Sequence, residues 1–263
     1  MQEAADFLKE VSALDGILHG LDDADFDTPT QFKDWTFNDI LGHLHFFDTA
    51  QLRAVDGADA FADFFNSAAT NLAQGHSILS LQYPWIGDLS GQGLRAAWLG
   101  TAQNLSTVFE SQDPKARFPW VGPPMSARSA ITARQMEVWA HGQAIFDSLG
   151  VVRSDGDQVK NICHLGVVTY EWTFKNKGLA VPGPRPDVRL KLPSGAESHW
   201  DGDAGSISGS ATEFAQVVTQ TRSIFDTDLT VRGTAAQAWM AQAQCFAGPP
   251  NAPPKKGCRY RQT

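Results

Sequence analysis

The stretch ITARQMEVWAHGQAIFDSLG, Ile131 to Gly150, reads as one long helix and sets Glu137 and His141 four residues apart. Residues at i and i+4 share a helical face, so this carboxylate and this imidazole point the same way. They sit among Met136, Trp139, Ala140 and Phe146, positions that read as core-facing, and ionisable groups are rarely buried without a purpose. The residues alone support two readings. The pair is two thirds of a metal site completed from another helix, or it is a buried Glu–His hydrogen bond. The candidate for a third ligand is His43, in DWTFNDILGHLHFF.

Working back from that helix, FPWVGPPMS (Phe118 to Ser126) reads as a loop stiffened by its prolines, either walling a pocket or covering the end of a bundle. Ser126 or Ser129 would cap the helix and Gly150 would stop it. Residues 3 to 20 carry Ala4, Phe7, Leu8, Val11, Leu14 and Ile17 or Leu18 at helical spacing, ended by Gly20. A second helix starts after Asp34 or near Thr36, with Phe37, Ile40, Leu41, Leu44 and Phe47 as its buried stripe. His43 belongs to that inward side. His45, about 200° further round the axis, is expected at the surface or behind the ligands. Further helical regions span 59 to 74 and about 92 to 111, separated by a loop at Tyr83 to Trp85.

Composition changes after Gly150. Ser154 to Gly178 reads as one amphipathic helix, and a Pro- and Gly-rich loop follows. Short strands are expected at Val188 to Leu192, Ser198 to Trp200, Gly205 to Gly209 and Leu229 to Arg232, with helices at Thr212 to Arg222 and Ala235 to Ala247. The fold class is therefore α+β, with a helical domain at 1–152 and a small α+β domain at 153–263.

The 263 residues carry a net charge of −8 and are 42% hydrophobic, enough to bury real cores. The acidic balance, with a pI near 5.3, argues against a nucleic-acid partner, because phosphate binding needs clustered cations. The one compact basic run, Lys255, Lys256, Arg259 and Arg261, reads as a solvated tail. An apolar run of about 18 residues and a secretory leader are both missing, so no membrane partner is expected. Cys163, Cys245 and Cys258 are widely spaced and odd in number, as free thiols in a cytoplasmic protein would be. Cys163 reads as buried and inert, and His164 beside it as a surface residue. Neither a phosphate-binding glycine loop nor a G-x-S-x-G elbow occurs, which excludes the usual nucleotide and serine-hydrolase chemistries.

WTFNDILGHL and RQMEVWAHGQAIFDSLG resemble the two signature segments of the DinB-like, mycothiol-dependent maleylpyruvate isomerase family. LPSGAESHWDGDAGSISGSATEFAQVV and DLTVRGTAAQAWMAQAQCFAG are similar to that family's appended domain, itself like sterol-carrier folds. The resemblance covers nearly the whole chain, and FPWVGPPMS suggests an uncharacterised metal-binding branch.

It implies a four-helix bundle holding one divalent ion through His43, Glu137 and His141. Zinc is the family's usual metal, and Ni2+ or Fe2+ would accept the same donors. It further implies a low-molecular-weight thiol, a small-molecule substrate and a thiol-dependent isomerisation or transfer. Arg222, in VVTQTRSIFDTDLTV, is the matching candidate for binding a substrate carboxylate; pairing with Asp226 and Asp228 is its plain structural role. Ala144 departs from the family, where an acidic residue is common three positions after the second ligand. The alternatives are a non-enzymatic, metal-stabilised ligand-binding protein and a metal-dependent hydrolase; either a monomer or a homodimer is compatible.

Overall fold

A computed structural model describes residues 1–75 and 77–259. The chain divides into two compact units, Met1–Ile145 and Phe146–Thr263.

The first unit is helical. Helix α1 (Gln2–Leu18) buries Ala4, Phe7, Val11, Leu14 and Leu18 of the stripe its spacing predicts, while Leu8 is only half-buried. Helix α2 (Phe37–Asp56) starts where TFND supplies a capping box. The Thr36 hydroxyl accepts from the Asp39 amide at 3.1 Å, and the Thr36 amide donates to the Asp39 carboxylate at 2.9 Å. Helices α3 (Ala58–Ala73), α4 (Ile78–Ile86) and α5 (Gly91–Glu110) follow. Both α1 and α2 pack on α5, whose Trp98 and Phe109 are fully buried. Each such side chain contributes roughly 1.5–3 kcal/mol of burial.

Two expectations are corrected here. Tyr83 to Trp85 is not a loop but the end of α4, which carries Pro84 inside its last turn. The tyrosine hydroxyl donates to the Asp39 carboxylate at 2.5 Å, and Gln82 Nε2 donates to the Asp39 carbonyl at 2.9 Å, which fixes α4 to the first turn of α2. The proline-rich segment is likewise ordered, as an antiparallel hairpin of β1 (Arg117–Trp120) and β2 (Gly122–Ser126). Helix α6 (Ala127–Ser148) follows immediately, its first turn capped by Ser126 Oγ accepting from the Ser129 amide at 3.1 Å.

The second unit begins within the last turn of α6, where Phe146 lies under the Arg153 guanidinium. Gly150, at φ +66°, ends that helix in the left-handed region, and the Val151 amide returns to the Phe146 carbonyl at 2.9 Å. The single helix expected over 154 to 178 is broken at Thr169 into α7 (Val159–Val168) and α8 (Tyr170–Lys175). Strands β3 (Asp187–Lys191), β4 (Glu197–Trp200), β5 (Ser206–Ser210) and β6 (Thr230–Arg232) form a sheet in the order β4-β3-β5-β6. The central β3/β5 pair is parallel and the outer pairs antiparallel. Val188, Leu190 and Ile207 point into the core, where Tyr170, Phe214 and Trp239 meet edge to face. Helices α9 (Ala211–Val218) and α10 (Thr234–Met240) complete the unit.

Candidate metal centre and its aromatic surround

Helices α2 and α6 place the three anticipated donors together. His43 Nε2 lies 3.4 Å and His141 Nε2 3.1 Å from the same oxygen, Glu137 Oε2, and one donor atom from each residue falls within a 4.8 Å cluster. Four-coordinate bonds of 2.0–2.1 Å imply ligand–ligand edges of about 3.3 Å, so this spacing fits a divalent first-row ion. Two imidazoles and a carboxylate also suit such an ion chemically. The Glu137 side chain retains 23% exposure, so the cluster is open on one side.

Electrostatics favour a deprotonated donor set. Burial pulls His43 down to about 4, against the opposing pull of Glu137. Burial would raise Glu137, but the hydrogen bonds from His141 and His43 overcome it and hold the carboxyl well below its ordinary range. Both groups thus present the metal-binding form at neutral pH. His43 Nδ1 is buried without a hydrogen-bond partner among the described residues, a departure from the outer bond that usually orients a ligating imidazole.

Orientation comes instead from rings. Trp35 stacks on His141 and meets His43 edge to face, at 5.5 and 5.4 Å between centroids. Phe32 meets His141 edge to face at 5.0 Å, and Phe47 tilts against His43 at 4.8 Å. Trp120, on the hairpin, continues the ring contacts from Phe47 to Phe61 on α3. Phe32 and Trp35 are presented by a reverse turn in which the Trp35 amide donates to the Phe32 carbonyl at 2.9 Å. Lys33 and Asp34 between them both adopt positive φ, 56° and 59°, a conformation that costs non-glycine residues energy and recurs at functional sites.

Next to the donors lies a buried ion pair, Arg134 Nε to Asp48 Oδ1 at 2.8 Å. Burial pushes the Asp48 carboxyl upward, opposed by Arg134. All five arginines of residues 1–145 are engaged: Arg53 by Asp56, Arg95 by Asp15, Arg117 by the Pro124 carbonyl, Arg128 by Glu3 and Arg134 by Asp48.

His45 corrects an expectation. It is buried against Trp85 at 4.7 Å between centroids, because α4 covers that side of α2, and burial lowers it to about 4. Arg222 lies in the second unit, where its two Nη atoms donate to the two carboxylate oxygens of Asp147, both at 2.7 Å. That is the bidentate geometry a substrate carboxylate would need, and here Asp147 fills it. Cys163 is buried, and burial pushes its thiol up, as an inert cysteine requires. His164 is exposed and accepts from Trp200 Nε1 at 3.1 Å. In the basic tail, Arg259 donates to the Gln220 carbonyl at 2.7 Å, and Arg261 lies outside the described residues.

Sequence reasoning passed over Phe32, Arg134 and the ligand-facing role of Phe47. Spacing would have found two of them: Phe47 lies four residues after His43, and Arg134 three before Glu137. It also passed over Asp187, His199 and Asp201, a second donor cluster on the sheet. There Arg189 already pairs with Asp187 and the Asp201 side chain is 97% exposed, so it lacks the burial of the first. An open cavity of about 770 Å3 lies over β3 and β5, where Arg153 pairs with Asp155.

The first unit thus joins a His–Glu–His donor set to a helical scaffold. The family described as the mycothiol maleylpyruvate isomerase N-terminal domain matches residues 7–146, just over half of the chain. The chain is also 35% identical over 248 residues to uncharacterized proteins from two strains of Mycobacterium tuberculosis, covering 94% of this chain and 95% of each relative. It belongs to this family. Among solved structures it is similar to the mycothiol-dependent maleylpyruvate isomerase, with TM-score 0.48 and 16% identity. A histidine-to-alanine mutant of that enzyme gives 0.49 and 15%; both comparisons cover 82% of this chain and 87% of the other. Among the described residues, no helix is long and apolar enough to cross a membrane.

Proposed function

We propose that this protein is a metal- and thiol-dependent enzyme of the isomerase or transferase type, acting on a small molecule. The observation that carries the reading is the convergence of His43, Glu137 and His141, partly open, in a chain of the mycothiol maleylpyruvate isomerase family. In architectural terms the proposal is a DinB-like four-helix bundle at 1–152, built on α1, α2, α5 and α6, and a sterol-carrier-like domain at 153–263. Cys163, Cys245 and Cys258 stand outside any disulfide, which suits the cytoplasm.

A zinc ion held by the three residues would supply Lewis acidity and favour the thiolate of a low-molecular-weight thiol at an open position. The chain's own part is preparation. Glu137 contributes the single negative charge, His43 contributes a neutral nitrogen, and the rings of Trp35 and Phe32 fix the His141 plane. Phe47 and Trp120 add ring surface beside His43. Arg222 is the candidate for a carboxylate on the substrate; to act so it must exchange Asp147 for that carboxylate.

Elemental analysis tests this on untagged wild-type protein beside His43→Ala and Glu137→Ala. The expected result is about one equivalent of zinc, nickel or iron in the wild type, lost from both variants. A wild type that takes up no metal even after reconstitution overturns the proposal.

A further inference from the structure

We infer that the Asp48–Arg134 ion pair is a positioning device for the donors: it sets the register of α2 against α6, and with it the distance from His43 to Glu137. The inference rests on the metal-site reading and adds to it the residues that fix its geometry.

Helical spacing puts the pair in line with the donors. Arg134, Glu137 and His141 stand at i, i+3 and i+7 on α6 and share one face. On α2, His43 and Leu44 are followed one turn later by Phe47 and Asp48. From α6, the Arg134 guanidinium spans that whole turn: Nε donates to Asp48 Oδ1 at 2.8 Å, Nη2 donates to the Leu44 carbonyl at 3.4 Å, and Cζ lies 5.9 Å from the Phe47 ring centroid. The same ring tilts against His43 at 4.8 Å. One side chain from the helix of Glu137 and His141 thus holds a carboxylate, a backbone carbonyl and a ring on the turn that carries His43.

Two observations say what that grip is for. Asp48 and Arg134 are both buried, and a buried ion pair is a weak source of stability, because apolar side chains of similar volume often serve as well; fixing register is its best-attested use. His43 Nδ1, for its part, is buried without a hydrogen-bond partner among the described residues, so the outer bond that usually orients a ligating imidazole does not set its place. Its position follows the helix. A slip of α2 by one residue's rise, about 1.5 Å, would carry the 3.4 Å distance from His43 Nε2 to Glu137 Oε2 well away from a ligand edge of about 3.3 Å.

The test compares untagged wild type with Asp48→Leu/Arg134→Met, with Arg134→Lys, and with Gly166→Ala, a crowded substitution in the second unit. Circular dichroism and urea unfolding check that each folds. Zinc affinity is read by competition with a chromophoric chelator, and donor geometry by the visible absorption of the cobalt(II)-loaded protein. The double variant should bind zinc about tenfold to a hundredfold more weakly, with its cobalt band shifted or weakened. Arg134→Lys, which keeps a charge beside Asp48 but cannot span the turn with one ammonium, should fall in between. Gly166→Ala should match the wild type in both readings. Wild-type affinity and cobalt spectrum in the double variant or in Arg134→Lys, or an equal loss in Gly166→Ala, overturns the inference; should the double variant fail to fold, Arg134→Lys decides. A wild type that takes up neither ion removes the metal-site reading itself, and this inference with it.

Discussion

The indole of Trp35 and the imidazole of His141 lie parallel to within 3°, centroids 5.5 Å apart, so a residue from a tight turn holds flat a donor from a distant helix. Trp35→Ala frees the imidazole to rotate and should weaken zinc binding about tenfold to a hundredfold, the range typical of lost outer support. Trp35→Phe should retain most of the affinity. Competition against a chromophoric chelator measures both, and equal affinities in all three proteins would show that the stack does not orient the ligand.

The Asp48–Arg134 pair makes a prediction about stability. Its side chains are 0% and 3% exposed, so removing one partner strands a charge. Arg134→Met should cost about 3–5 kcal/mol in urea unfolding, whereas Asp48→Leu with Arg134→Met should recover most of that loss. A double variant no better than the single would mean that the pair contributes net attraction.

Acid should destabilise the metal-free protein before ordinary carboxylates titrate. Burial holds His43 and His45 near 4 in the fold, below their ordinary 6.5, so the unfolded chain takes up protons first as pH falls. Their contribution is complete above pH 6.5 and is lost progressively down to about pH 4, on the order of 3 kcal/mol for each histidine. Asp48, pushed upward by burial, works in the opposite sense. Chemical denaturation across this range should show the slope, and His45→Gln should flatten it; a flat wild-type profile would contradict the buried neutral histidines.

In the second unit, α7 approaches α9 at Gly166, where an added Cβ would sit 2.8 and 3.0 Å from the two methyls of Val218. The branched side chain has little freedom to yield. Gly166→Ala should therefore cost about 1–3 kcal/mol, with partial recovery when Val218→Ala is added, read by thermal melting.

Thiol titration should distinguish the cysteines. Cys258 is exposed while Cys163 and Cys245 are buried, so an aromatic disulfide reagent should label Cys258 alone in the native protein and all three in denaturant. Rapid native labelling of Cys163 would mean that α7 opens.

Much of this site was legible because its information is periodic. Glu137 and His141 declare a shared face by spacing, His43 falls on the apolar stripe of α2, and Thr36 and Gly150 mark helix ends by their own backbone chemistry. What stayed hidden depends on contacts between elements. His45 is polar and lies off the stripe, so only α4, disguised by Pro84, explains its burial. The hairpin around Trp120 pairs two short strands whose prolines read as irregular chain. Arg222 could be singled out by resemblance, but its pairing with Asp147 crosses a separation that no local pattern records.

Thr36 has two attachments: it bridges Pro29 across the base of the aromatic turn, and it caps α2. The turn and the helix that carries His43 are therefore mechanically one piece. Lifting the indole from His141 means loosening the Thr30–Trp35 hydrogen bond and pulling on that cap. If an ion is held at the three donors as proposed, its residence time and the amide-exchange lifetime of the first turn of α2 should follow a common opening event, so that a change that shortens one should shorten the other.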